Sequence, residues 1–138
     1  MKIGNKEIKL YYSNLASREI SEMLGGIKNL SHILRDKDGN ALEVTEQYTN
    51  VLKLLCILAN AEVGRFNREI ALGIRDDEKK TKFTVEDFED LLDLSKINEY
   101  LMEALEVMGL ASKFELPEGM KLEEKDRDLE DIEAEKNP

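Results

Sequence analysis

The sequence predicts a mainly α-helical protein, in which a small N-terminal β-hairpin packs on a bundle of about five helices. A two-residue turn signal, Gly4-Asn5, separates two short alternating segments at the start of the chain. Apolar residues then recur at helical spacing from Leu15 to Met108. The chain is 138 residues long, which suits one modest core. We expect one globular α-rich domain over residues 1–120 and an acidic, disordered tail over residues 121–138, where apolar residues are few.

The hairpin is predicted from the glycine at the first turn position, because glycine adopts a positive φ without strain. The turn pairs Ile3 with Lys6 and Lys2 with Glu7. Strand alternation then forms one apolar face from Met1, Ile3, Ile8, Leu10 and Tyr12. A lone two-stranded hairpin is marginally stable in water, so this face is expected to pack on the helices or on another copy of the chain.

Two short helices are expected to follow the hairpin. Ser13 or Asn14 can cap a helix over Leu15 to Leu24, because both side chains accept hydrogen bonds from a first helical turn. Gly25 suits the C-terminal end of that helix. A second short helix is expected over Leu30 to Arg35.

The longest apolar helical pattern runs from Val44 to Val63 and predicts a central helix that is buried on most sides. A separate helix is expected over Arg65 to Gly73, followed by a charged, mobile loop over Arg75 to Lys82. Thr84-Val85-Glu86-Asp87 matches a capping box with aspartate in place of glutamate, and it opens another helix. Ser95 is expected to cap the last helix, which Gly109 ends.

Composition narrows the classes of partner. The chain carries 30 acidic and 20 basic residues, a net charge of −10, so it should repel nucleic acid and anionic membrane surfaces. No apolar run is long enough to span a bilayer, and the first residues do not resemble a signal peptide. The single cysteine excludes an internal disulfide, which favours a reducing cytoplasm.

The residues that could carry chemistry are few. Asp36 to Asn40 begins like a calcium loop, but the required glycine and glutamate positions hold Ala41 and Gln47, so we interpret it as a polar turn. One histidine and one cysteine cannot form a zinc site. Cys56 lies in an apolar run and is expected to be a small buried group, with a nucleophile–base pair between Cys56 and His32 as the weaker alternative. We therefore predict no enzymatic activity, no metal and no cofactor.

Arg65, Arg68 and Arg75 form the only basic concentration in the sequence. They could bind an acidic partner, or they could pair with the nearby Glu62 and Glu69, which we favour slightly. The candidate residues for partner binding or self-association are Ile3, Ile8, Leu10, Tyr12, Arg65 and Arg68.

Several segments together resemble one protein family. They are Gly4-Asn5-Lys6-Glu7-Ile8-Lys9-Leu10, the helix that ends in Leu24-Gly25-Gly26-Ile27, the apolar run Val51 to Ala61, the start Phe83-Thr84-Val85-Glu86-Asp87-Phe88, and the helix Leu101 to Gly109. In this order the chain resembles the tail assembly chaperones of long-tailed, non-contractile bacteriophages and prophages. The resemblance covers about residues 1–110 and consists of fold signals rather than chemical motifs.

The resemblance implies a non-enzymatic assembly factor. Such proteins bind the tape-measure protein in the host cytoplasm, keep it soluble, and help tail-tube subunits polymerise around it. They are absent from the mature virion, and many also exist in a longer, frameshifted form. For this chain the expected partners are therefore the tape-measure protein, the tail-tube protein and further copies of itself.

Two other classes remain open from the sequence. One is a different small phage structural or adaptor protein, which would be found in purified particles. The other is a regulatory protein-interaction module outside phage biology, which would bind a signalling or transcription partner.

Overall fold

The computed structural model describes residues 1–110, without the side chain of Ile27. Its strands are β1 (Lys2–Ile3) and β2 (Lys6–Glu7), and its helices are α1 (Asn14–Leu24), α2 (Val44–Ala71), α3 (Val85–Leu91) and α4 (Ile97–Val107), with 3₁₀ segments at Ile27–Ile33 and Leu94–Lys96. The prediction of a mainly helical fold with a small N-terminal hairpin is confirmed. The predicted acidic tail and the end of the predicted domain, residues 111–138, lie outside the described residues.

The hairpin has the predicted register. Lys2 pairs with Glu7 and Ile3 with Lys6, and Gly4 has a φ of 63°. The backbones of Met1 and Ile8 extend this pairing, since each N–H donates to the carbonyl of the other, at 3.1 Å and 2.6 Å. Met1 and Ile8 are buried, while Ile3, Leu10 and Tyr12 are half-buried against the same core. The apolar face therefore packs on the helices of its own chain.

The first helix begins one residue earlier than predicted. Ser13 caps α1, since its Oγ accepts the Ala16 N–H at 3.0 Å, and Gly25 ends α1 in the left-handed conformation. The second segment was expected as a helix over Leu30 to Arg35, but it is the 3₁₀ segment Ile27–Ile33. The turn that starts it is closed by the Asn29 N–H, which donates to the Gly26 carbonyl at 2.9 Å. Asn29 Nδ2 also donates to the Gly25 carbonyl, at 3.0 Å.

The main correction concerns α2, which runs without a break where two helices separated at Gly64 were expected. Glycine is a weak helix former, but its influence is local. Arg65 pairs with Glu62 across Gly64 at 2.8 Å, and with Glu69 one turn further along the helix at 3.4 Å. The Glu62–Arg65 pair therefore adds to the stability of the helix across Gly64. A helix of this length spans about 42 Å.

The core surrounds the middle of α2, where Val51, Leu54, Leu55 and Leu58 have no exposed surface. Helices α1, α3 and α4 all contact α2, so α2 is the central element of the bundle. No helix over residues 1–110 is long and apolar enough to cross a membrane.

The last two helices have well-defined starts. The predicted capping box of α3 is confirmed, with Thr84 and Asp87 exchanging hydrogen bonds of 2.8 Å and 3.2 Å. Ser95 does not cap α4 as predicted. Instead the Asp93 carboxylate accepts the Ser95 N–H at 3.0 Å and opens the 3₁₀ turn that leads into α4, because an aspartate in this position caps the earlier turn.

Candidate partner-binding site

The C-terminal half of α2 has open surface on two sides. Successive residues of an α-helix point about 100° apart, so residues two positions apart point to nearly opposite sides. Ala59 and Phe66 lie on one side and line one groove. Ala61 and Arg68, each two positions further on, line a second groove on the other side. Two segments of the chain cover α2 between these grooves.

The first covering segment is an extended stretch that we call the strap, Lys80–Phe83. Asn60 donates through Nδ2 to the Phe83 carbonyl at 2.8 Å and accepts the Phe83 N–H through Oδ1 at 2.7 Å. Asn67 holds Lys80 in the same way, at 2.9 Å and 2.8 Å. Each side-chain amide thus binds both polar groups of one backbone unit, as a neighbouring β-strand would.

The spacing of the two asparagines explains why the strap is straight. Seven residues of helix rise about 10.5 Å. Three residues of extended chain reach at most about 10–11 Å. Because Lys80 and Phe83 are three residues apart, the strap must be nearly fully extended to reach both Asn60 and Asn67. The expected charged, mobile loop is therefore fixed to α2 at its C-terminal end.

The second covering segment follows the hairpin. The Tyr11 N–H donates to the Leu58 carbonyl at 3.1 Å, so the chain crosses α2 at this point. The Arg65 guanidinium lies over the Tyr11 ring, 5.0 Å from its centroid. This crossing and the strap separate the two grooves.

The larger groove lies between the hairpin, α2 and the strap, and we call it the hairpin groove. It encloses about 500 Å³. Its floor is apolar and consists of Ile8, Ala59, Val63, Phe66 and Phe83. Its rim carries exposed polar side chains from the hairpin and the strap, namely Lys6, Glu7, Lys9, Lys80 and Thr81. An apolar floor with a polar rim is typical of sites that bind peptides or small ligands.

The unpaired charges of the hairpin groove are positive, although the chain as a whole is acidic. Glu7 is already paired with the Met1 ammonium at 3.0 Å, and Glu62 with Arg65 at 2.8 Å. Lys6, Lys9 and Lys80 form no ion pair with any described residue. The groove therefore presents free cationic groups beside an apolar floor.

Phe66 anchors the cationic wall of the groove. The Arg75 guanidinium and the Lys80 ammonium both lie over its ring, at 4.2 Å and 4.0 Å from the centroid. Arg75 is also held by Glu69 at 3.0 Å. Cation–π contacts of this kind hold charged side chains near an aromatic face without neutralising them. Lys80 thus remains available to an acidic partner.

The smaller groove, which we call the arginine groove, lies between α1 and α2 and encloses about 290 Å³. Arg65, Arg68 and Lys82 line it, together with Glu19 and the half-exposed Leu15. Arg65 is engaged by Glu62 through both of its carboxylate oxygens, at 2.8 Å and 3.0 Å. The interpretation in which Arg65 and Arg75 pair with Glu62 and Glu69 is confirmed, while Arg68 is exposed and has no ion pair within residues 1–110.

The predicted site residues therefore lie in different places. Ile8 belongs to the floor of the hairpin groove, while Arg65 and Arg68 belong to the arginine groove. Ile3, Leu10 and Tyr12 are half-buried against the chain's own core. Self-association through the hairpin stays a prediction, but the side chain of Ile8 is turned into the core and does not face a second copy.

Sequence reasoning missed the residues that complete the hairpin groove. Phe66 was assigned to a separate helix, and Lys80 and Thr81 to a mobile loop. The signal that could have located them is the pair Asn60 and Asn67, two amide side chains seven residues apart and therefore on one face of the helix.

Cys56 is part of the strap attachment. Its thiol contacts the Phe83 carbonyl at 3.6 Å and accepts from Asn60 Nδ2 at 3.5 Å. Burial raises the pKa of the Cys56 thiol, and the nearby Asp87 and Glu19 charges raise it further. The thiolate is therefore disfavoured, in agreement with a small buried group. Within residues 1–110 no three His, Cys, Asp or Glu side chains are grouped as metal ligands.

Comparison with known proteins provides no relative from which a role could be transferred. No protein-family model, no curated protein and no solved structure matches this chain.

Proposed function

We propose that this chain is a tail assembly chaperone of a long-tailed bacteriophage, which binds the tape-measure protein through the hairpin groove during tail-tube assembly. The resemblance of the N-terminal and helical segments supplies the family and the partner. The hairpin groove is the observation that carries the mode of binding, because it offers an apolar floor beside free lysines. The chain acts as a homo-oligomer in the host cytoplasm and leaves before the particle is complete.

The chemistry of the groove fits an amphipathic client. A tape-measure protein exposes apolar helix faces until the tube encloses it, and each Leu or Ile that such a client buries contributes about 1.5–3 kcal/mol. The floor residues Val63 and Phe66 can receive such side chains. Lys6, Lys9 and Lys80 favour client segments in which carboxylates flank the apolar residues.

These two contributions respond differently to salt. Apolar contacts are not screened by ions, whereas attraction between exposed charges is largely screened beyond about 10 Å at 0.1 M salt. We expect the complex to survive raised salt, with slower association as the lysine rim is screened.

The test is co-expression of the full chain with the tape-measure protein of the same phage, followed by pull-down at low and high salt. Thr81→Trp places a large ring at the exposed rim of the hairpin groove, and Thr45→Trp places the same ring at the exposed start of α2 as a matched control. We expect Thr81→Trp to abolish recovery of the complex and Thr45→Trp to leave it unchanged.

Three results would contradict this proposal at different points. A tape-measure protein that is equally soluble and uncomplexed without this chain would exclude the chaperone function. A complex unaffected by Thr81→Trp would show that the client binds outside the hairpin groove. A complex that dissociates at high salt would show that binding is ionic rather than apolar, and the arginine groove would then be the better candidate site.

A further inference from the structure

We propose that the acidic segment Asp128–Glu135 of this chain docks in its own hairpin groove and occupies it until a client displaces it. The occupant is thus a part of the same chain that lies outside the described residues. Docking of the segment can be observed without any client. Only the competition with a client rests on the proposed function.

Charge complementarity favours this segment. Asp128–Glu135 reads Asp-Leu-Glu-Asp-Ile-Glu-Ala-Glu and contains five carboxylates and no basic residue. The hairpin groove presents Lys6, Lys9 and Lys80, which have no ion-pair partner within residues 1–110, while its two glutamates are already paired with cations. Opposite charges placed beside a partly buried surface attract more strongly than fully solvated ones.

The segment also carries apolar residues for the floor. Leu129 and Ile132 are its two large apolar side chains. Val63 and Phe66 lie at the base of the groove, where a side chain that replaces water gains free energy in proportion to the apolar area buried. A wholly acidic segment could pair only with the lysines of the rim. This segment can pair with the rim lysines and also bury Leu129 and Ile132 against the apolar floor.

The length of chain is sufficient. Glu103 of α4 contacts the Met1 ammonium, so α4 lies beside the hairpin. Leu110 is seven residues beyond Glu103, a rise of about 10 Å if the helical path continued. The 17 residues from 111 to 127 can reach at most about 60 Å. A tether of this length gives an effective concentration on the order of millimolar, so a weak contact is sufficient for occupancy.

The arginine groove is the less suitable acceptor. Its central cation, Arg65, is already bound by Glu62 and Glu69, and Glu19 adds a negative charge to its lining. Only Arg68 and Lys82 remain there without an ion pair among the described residues. We therefore assign the acidic segment to the hairpin groove.

The test uses the full chain, enriched in ¹⁵N, with a nitroxide spin label attached through Asn137→Cys. Cys56 is only 7% exposed and the pKa of its thiol is raised, so the label reacts at the introduced cysteine. We expect the label to broaden the amide signals of Lys6, Lys9 and Thr81 and to spare Thr45 at the far end of α2. Raised salt should reduce the broadening by more than half.

Two matched variants separate docking from random encounter. Leu129→Ser combined with Ile132→Ser removes the apolar anchors and keeps the charge, and it should remove most of the broadening. Lys80→Glu in the strap should also remove the broadening, whereas Lys53→Glu, a change at an exposed position of α2 away from the groove, should not. Neither lysine is part of the core, so both variants should fold.

Several outcomes would overturn the proposal. Absence of broadening, or broadening centred on Leu15 and Lys82, would exclude the hairpin groove as the docking site. Broadening of equal strength in ¹⁵N chains that carry no label, when they are mixed with labelled chains that carry no ¹⁵N, would assign the groove to a second copy. If docking is observed and no tape-measure complex forms, the docking stands and the chaperone function fails. If the complex forms and no docking is observed, the chaperone function stands and the docking proposal fails.

Discussion

At the scale of single residues, Asn60 and Asn67 have the greatest influence on the shape of the site. Each amide replaces the hydrogen bonds that water would otherwise make to one backbone unit of the strap. The two positions differ in burial, since the bonds of Asn60 are partly buried and those of Asn67 are exposed. Unmet hydrogen bonds are costly mainly where water cannot replace them.

We therefore expect the two asparagines to differ in their effect on stability. Asn60→Ala should lower the free energy of unfolding by about 2 kcal/mol, because the polar groups of Phe83 lose buried partners. Asn67→Ala should lower it by less than about 1 kcal/mol, because water reaches Lys80. Urea denaturation of both variants measures the difference. Equal losses would show that burial of the strap is not what stabilises it.

The Met1 ammonium makes the stability of this chain depend on pH. Burial lowers its pKa, but hydrogen bonds to Glu103 and Glu7 outweigh burial and raise the pKa above its ordinary value. A raised pKa in the folded state means that this contribution is fully present below about pH 8 and is lost as pH rises through the folded pKa. Glu103→Gln should therefore reduce the loss of stability between neutral and alkaline pH. Glu106→Gln, an exposed change on the same helix, is the control, and an identical pH profile for both would contradict the expectation.

At the scale of secondary-structure elements, the continuity of α2 determines where the grooves lie. Phe66 continues the side of the helix that carries Ala59, and Arg68 the side that carries Ala61, only because the helix does not break at Gly64. The Glu62–Arg65 ion pair bridges Gly64 and supports this continuity.

Substitution of two glycines tests this view of α2. Gly64 is helical, and a methyl group there would meet open space, so Gly64→Ala should raise the free energy of unfolding by about 0.5–1 kcal/mol. Gly73 has a φ of 75°, which strains any residue with a Cβ. Gly73→Ala should therefore lower the free energy of unfolding, although a methyl group there would also meet open space. Thermal denaturation of both variants is the measurement. A loss of stability in Gly64→Ala would mean that the helix requires flexibility at that point.

The elements that the sequence predicts well are those fixed by neighbouring residues. The hairpin register follows from Gly4-Asn5, and the capping box at Thr84 follows from residues three apart. The break after Val63 was predicted wrongly, because the low helical propensity of Gly64 is a local effect and the Glu62–Arg65 pair across it offsets part of that cost. The hairpin groove could not be predicted, because Lys6, Phe66 and Lys80 belong to three distant segments whose meeting depends on tertiary contacts.

At the scale of the whole molecule, the two grooves divide the surface around one end of α2. The hairpin groove has an apolar base and lysines that form no ion pair among the described residues, whereas Arg65 of the arginine groove is already paired with glutamates. The end of α2 between them exposes Leu72 and Ile74, which are 66% and 71% exposed. Exposed apolar residues of this kind are available for contacts between copies.

Oligomerisation through the hairpin can be distinguished from contact through the end of α2. We expect light scattering to show concentration-dependent oligomers that weaken in Leu10→Asp, since the two-residue strands leave open edges. Leu72→Asp is the control at the exposed end of α2. Circular dichroism must show that Leu10→Asp remains folded, because Leu10 packs on the core. A strict monomer, or weakening by Leu72→Asp alone, would contradict self-association through the hairpin.

The attachment of the strap has a consequence for how this protein can diversify. Within the strap, Asn60 and Asn67 hydrogen-bond only to the backbone N–H and carbonyl groups of Phe83 and Lys80. The side chains of Thr81 and Lys82 take no part in these hydrogen bonds. Positions 81 and 82 can therefore accept many residue types while the strap keeps its hydrogen bonds to α2. One of them borders the hairpin groove and the other borders the arginine groove. Substitutions within this one short segment can therefore change the borders of both grooves while the hydrogen bonds that hold the segment to α2 stay in place.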